Sequence, residues 1–117
     1  MLDTDTKQKL YLRAAYLVEE FGWTKGNSGW NEGGPYCIQG AIGAAAKEMG
    51  LMSGWIVHPH VKTISFIDEH LPEMSESWRW NDEYERTQKE VVDRLLEMAG
   101  VEGAKEEVTE RMLLNVG

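Results

Sequence analysis

The run "YCIQGAIGAAAKEMG", residues 36–50, decides how the rest of the chain is read. Ile38, Ala41, Ile42, Ala45 and Met49 fall at helical spacing on one face. Gly40, Ala41, Gly43, Ala44 and Ala45 keep the helix thin, and Gly50 is placed to stop it. Each interior glycine costs about 1 kcal/mol of helix propensity against alanine. Only close packing by neighbouring helices returns that cost, so this helix is expected at the centre of a bundle.

Working outward, the helix most clearly delimited lies towards the C-terminus. In "WRWNDEYERTQKEVVDRLL", residues 78–96, Thr87 and Glu90 have the spacing of a capping box. Val91, Val92, Leu95, Leu96 and Ala99 then form a buried stripe that Gly100 closes. Glu90 with Arg94 and Lys89 with Asp93 are spaced as opposite-charge pairs on the exposed side. Towards the N-terminus a helix reads from about Thr6 to Phe21. Leu10, Ala14, Leu17, Val18 and Phe21 make its apolar face, Thr4 or Asp5 its cap and Gly22 its end. Pro59 suits the first turn of a further helix to His70, on which Val61, Ile64, Ile67 and Leu71 follow helical spacing. The run "TISFI" within it also suits a short strand, so residues 61–67 remain open between the two. "GAKEEVTERMLLNVG" reads as a short C-terminal helix in which Val108, Met112 and Leu113 turn inward.

Between these helices, "GWTKGNSGWNEGGP" holds five glycines and a proline and reads as a loop. Its glycine spacing lacks the preceding strand of a phosphate-binding fingerprint. The five tryptophans, Trp23, Trp30, Trp55, Trp78 and Trp80, all fall in connections. There they either plug a small core from its edges or form a recognition surface; in a domain of this size plugging is favoured. The expected fold is therefore all-α, a compact single domain of four to five helices over residues 1–117 with a Gly/Trp-rich loop. Residues 1–5 and 115–117 are expected to be flexible ends.

Charge narrows the function classes. Residues 1–65 balance six Asp/Glu against six Lys/Arg, whereas residues 66–117 carry fourteen against six and hold the whole net charge of −8. The acidic half repels phosphate, which disfavours direct nucleic-acid binding. No apolar run has the length of a membrane span, and the charged start does not read as a signal peptide. One cysteine, Cys37, leaves no internal disulfide and fits a reducing cytoplasm.

Chemistry-bearing residues are few. Cys37 stands at a helix start, where the macrodipole favours a thiolate, but no histidine is near in sequence, so a structural cysteine is expected. His58 and His60 form H-P-H without a second ligand cluster, which gives no metal site. No catalytic residue and no cofactor is nominated. The candidate binding residues are Trp80, Asn81, Asp82 and Arg86, with Trp23 and Trp30 from the loop. Asn81 and Asp82 favour turns, and Arg86 is within reach of Asp82 or a carbonyl of another helix. The same polar groups either fix the angle at which the capped helix leaves the junction or line a pocket roofed by aromatics, and capping favours the first.

The motifs resemble those of a family of small uncharacterised proteins of actinobacteria and their bacteriophages. Trp23, Gly26, Cys37, Gly40 and Ala41 match its G-W-x-x-G turn and C-x-x-G-A helix. Trp80, Asn81, Asp82, Arg86, Thr87, Glu90 and Val91 match its W-N-D…R-T…E-V block. The segment before W-N-D matches poorly, and the acidic tail after Gly100 goes beyond the pattern. The resemblance carries no assigned activity; it implies a bacterial or phage origin and a cytoplasmic location, the host's cytoplasm if phage-encoded. Taken together, the expected function is non-enzymatic protein binding, with a host protein among the candidate partners and the acidic half with exposed tryptophans as the contact surface. The alternative is a small-ligand binder or enzyme with its pocket between the Gly22–Pro35 loop and the Trp80–Asn81–Asp82 turn. Homo-oligomerisation through the thin helix is a third possibility.

Overall fold

The computed structural model describes residues 2–25, 33–52, 59–83 and 85–100, with the backbone alone at 59 and 60. Helix α1 runs Thr4–Phe21, α2 Ile38–Glu48 and α3 Pro59–His70; a 3-10 turn at Pro72–Met74 and a short α4 at Ser77–Asn81 lead to α5 at Gln88–Met98. Among the described residues there is no strand, only an isolated parallel bridge of Trp23 with Tyr36. The domain is all-α. Residues 61–67 are helical, which settles the choice between helix and strand. The C-terminal helix expected beyond Gly100, Trp30, Trp55 and the side chains of His58 and His60 lie outside the described residues.

The poor helix formers of α2 are explained by its position. Every residue from Ile38 to Ala46 is buried, and α1 and α3 pack on it. Gly43 is where α3 comes closest. A Cβ there would fall inside contact distance of Thr63 Oγ1 and 2.9 Å from its Cγ2. Thr63 is wholly buried, and its hydroxyl has no hydrogen-bond partner among the described residues. The expected stripe holds at Ile67 and Leu71 but fails at Val61 and Ile64, where Thr63 takes the inward place. Thr63, Phe66, Ile67 and Leu71 face the core, whereas Val61 and Ile64 are exposed. A stripe drawn from hydrophobicity alone could not foresee a threonine chosen to fit a glycine.

Helix α1 packs mainly on α5 and α2, and Leu10, Ala14, Leu17 and Val18 are buried as expected, while Phe21 at the last turn is exposed. Its cap is Asp3, whose carboxylate accepts from Thr6 N at 2.8 Å, not Thr4 or Asp5. In the run Asp-Thr-Asp-Thr several residues suit a cap, and only the packed length of the helix selects one. Gly22, at φ 95°, ends α1, and its N–H donates to Val18 O. Gln88 Nε2, arriving from α5, donates to the same carbonyl at 2.8 Å. The stripe of α5 is as read: Val91, Val92, Leu95, Leu96 and Ala99 are buried. Its outer pairs differ in part. Lys89 meets Asp93 at 3.0 Å, but Glu90 pairs with Arg86 and Arg94 with Glu97.

Candidate functional site

Asn81 is the last residue of α4, and it is completely buried. Its Oδ1 accepts from the indole Nε1 of Trp23 at 2.7 Å and from the backbone N of Ile38 at 2.9 Å. Its Nδ2 donates to Thr24 O at 3.3 Å and to Asp82 Oδ1 at 3.0 Å. An asparagine amide has two donors and an oxygen with two lone pairs, so its capacity is filled. Three segments meet at this side chain: the chain after α1, the first residue of α2, and α4 itself. Asn81 thus supplies a carbonyl to one of the backbone N–H groups that every helix start leaves without a partner. Asp82 does stand in a turn, at the end of α4, as its residue type suggested, whereas Asn81 is the last helical residue and points into the core. Trp78, Trp80 and Asn81 are helical, because a five-residue helix here aims Asn81 inward.

Arg86 completes the junction from the other side. Its Nε donates to Trp80 O at 2.9 Å, and its guanidinium lies 3.9 Å from the centre of the Trp80 ring. Nη1 donates to Glu90 at 3.0 Å, and Nη2 to Glu83. The carbonyl it reaches belongs to α4; Asp82 instead accepts from Asn81. Between α4 and α5, Glu85 has a φ of 68°, in the left-handed region that a glutamate rarely adopts. Thr87 then caps α5 with the full capping box: Thr87 Oγ1 accepts from Glu90 N at 3.2 Å, and Thr87 N donates to Glu90 Oε1 at 3.1 Å. Desolvation opposes ionisation of Glu90, but the bonds from Thr87 and Arg86 together outweigh it and hold its carboxyl below the ordinary range.

Of the six candidate binding residues, the structure brings Trp23, Trp80, Asn81, Asp82 and Arg86 together, and Trp30 lies outside the described residues. Trp78 is set apart from them. It is 48% exposed, with the Arg79 guanidinium 5.1 Å from its ring. Cys37 caps α2, its sulfur accepting from Gly40 N at 3.2 Å. Burial pushes the thiol up to about 11 against the helix-start amides that favour a thiolate, so it is protonated at neutral pH.

Two residues that the sequence reading passed over tie the segment 73–75, just before α4, to α1 and α2. Gln39, buried in α2, donates to the carbonyls of Met74 and Ser75 at 3.2 and 3.3 Å. Tyr11 donates to Glu73 at 2.7 Å. Burial drives the Tyr11 hydroxyl far above its ordinary value, and the bond to Glu73 adds to that. At Glu73 burial opposes ionisation, but the bonds from Tyr11, a backbone N–H and Lys7 prevail and hold its carboxyl low. A lone glutamine in the apolar run of residues 38–46 was the signal available for Gln39.

Two cavities open on the side of α4 that Trp80 lines. One, of about 180 Å³, is lined by Ile38, Glu73, Met74, Glu76, Ser77, Trp80 and Arg94. The other, of about 330 Å³, lies among Trp80, Glu90, Asp93, Arg94 and Glu97.

The fold and the junction define a small all-α domain whose central helix is started by a buried asparagine from a later helix. Matched over residues 1–101, the chain belongs to a family described as "Family of unknown function (DUF6197)". No curated protein and no solved structure matches it. Among the described residues no helix is long and apolar enough to cross a membrane.

Proposed function

We propose that this chain is a small non-enzymatic protein-binding module of an actinobacterium or its phage, acting in the bacterial cytoplasm. The observation that carries the reading is Trp78, a large aromatic left 48% exposed on α4 while Trp23 and Trp80 are packed against the core. Exposed tryptophans are costly to leave in water, and they are the residue type that most often anchors protein contacts. Trp78 also sits in the acidic part of the sequence, since residues 66–100 hold ten Asp/Glu against four Lys/Arg. The saturated junction supports the same reading. A ligand drawn to Asn81 or Arg86 would have to displace bonds that hold three segments together. In this view the W-N-D…R-T cluster serves binding indirectly, by fixing the face that α4 presents.

The test is selection of peptides on the immobilised protein, repeated on Trp78→Ser. Binders that wild type retains and Trp78→Ser loses, with the melting temperature of the variant unchanged, are expected. Recovery of no binder, or of binders indifferent to Trp78→Ser, would overturn the reading.

A further inference from the structure

The paired cavities beside Trp80 are a different face from Trp78, because positions 78 and 80 lie roughly 200° apart around a helix. Their shared wall is Trp80 and Arg94. Ile38 and Met74, both buried in the core, form an apolar end at the smaller cavity. The larger one is lined by carboxylates on α5. Sharing Trp80 and Arg94, the two adjoin as a groove, one side lined by Ile38 and Met74 with Glu73 and Glu76, the other by the acids of α5.

We propose that this groove takes a basic segment of a partner protein, an apolar side chain seated against Ile38, Met74 and Trp80 and flanking Lys or Arg side chains lying among Glu76, Asp93 and Glu97. The proposal rests on the reading of the chain as a protein-binding module and specifies the partner's chemistry. Charge complementarity selects the occupant. The lining holds Glu73, Glu76, Glu90, Asp93 and Glu97 against one guanidinium, that of Arg94. Each of these acids has a cation of its own: Lys7 at 3.6 Å, Arg79 at 3.2 Å, Arg86 at 3.0 Å, Lys89 at 3.0 Å and Arg94 at 3.5 Å, respectively. At Glu76, Asp93 and Glu97 the paired cation is exposed to solvent, and such pairs are worth little, so an incoming Lys or Arg can exchange for them at small cost, whereas Arg86 stays in the junction. The excess of acids across residues 66–100 sets the sign of the surrounding field, which draws a basic segment in and repels an acidic one. Arg86 already covers one face of the Trp80 ring, which shows that the indole accepts a stacked cation.

The experiment uses the full chain and nitrogen–proton NMR, with a synthetic peptide of alternating Lys and Arg around a single leucine as probe. Controls replace its basic residues by Glu or by Ser. The basic peptide is expected to shift Met74, Ser77, Trp80 and Arg94, and to bind about tenfold more weakly when salt is raised beyond the screening of surface charges. The variant Glu76→Gln/Asp93→Asn/Glu97→Gln is expected to bind about tenfold more weakly, and Arg94→Gln about threefold more tightly, the opposite sign. Shifts confined to other surfaces, equal binding of the serine control, or affinities that neither variant changes would overturn the proposal. These outcomes are separable from those for Trp78: peptides lost with Trp78→Ser but indifferent to the groove variants would leave the protein-binding reading standing and remove this one.

Discussion

Helices α2 and α5 each begin at residues that the sequence marks out, yet their starts are built in opposite ways. The start of α5 is local and exposed, Thr87 and Glu90 satisfying each other's backbone within one turn. The start of α2 is buried. Cys37 supplies a sulfur to Gly40 N, and the N–H of Ile38 is satisfied by Asn81, a residue 43 positions later. A local cap forms as soon as the helix does. A cap borrowed from across the chain exists only when the fold is complete, so the same interaction that starts α2 also ties α4 to it. Stability should therefore respond very differently to damage at the two starts.

The largest effect is expected at the borrowed cap. Asn81→Ala leaves the buried Ile38 N–H and the half-buried Trp23 indole without their acceptor, and urea unfolding should show a loss of about 3 kcal/mol or more. A loss no greater than that of an ordinary exposed cap would erase the contrast. Next comes the contact that seats α2 against α3. Gly43→Ala should cost about 1–3 kcal/mol by overpacking against Thr63. Adding Thr63→Ala should recover much of that loss, and a double-mutant cycle reads the coupling directly. At the local start, Thr87→Ala should cost about 1 kcal/mol, with the loss insensitive to changes at Asn81.

The smallest expected effect is on pH dependence. The Glu73 carboxyl is held below its ordinary value of 4.5, chiefly against the opposing effect of burial. Its contribution to stability is therefore complete above that value, and it is lost as pH falls through the lowered one. Tyr11 is raised from 10.0, so its contribution is complete below that value and fades as pH rises beyond it. Denaturation of Glu73→Gln beside wild type should show a shallower loss of stability in acid, while Glu90→Gln tests the same sign at the local cap. An unchanged acid slope in both would show that neither bond outlasts solvent competition.

The comparison also separates what could be read from the sequence from what could not. The capping box, the stripe of α5 and the thinness of α2 depend on residues within a few positions of one another, and each was legible. The role of Asn81 was not, because turn chemistry and a buried long-range cap use the same side chain. Only the arrival of Trp23 and Ile38 distinguishes them. Helix α4 offered too few positions for a period to show. On α3 the stripe was right at Ile67 and Leu71 and wrong at Val61 and Ile64, because these are more hydrophobic than Thr63, the residue that packs against Gly43. For the site, sequence brought Trp80, Asn81, Asp82 and Arg86 together by proximity, and Trp23 by motif. That their polar groups bond to one another emerged only with the fold.

The contact of α1 with α5 has a consequence for synthesis on the ribosome. Gln88 reaches the Val18 carbonyl across 70 residues, so the apolar face of α1 must wait for α5 to be translated. At usual elongation speeds that delay is roughly 4–14 s. Throughout it Leu10, Leu17 and Val18 lack their final cover, so the nascent chain should be a client for holding chaperones until α5 clears the exit tunnel.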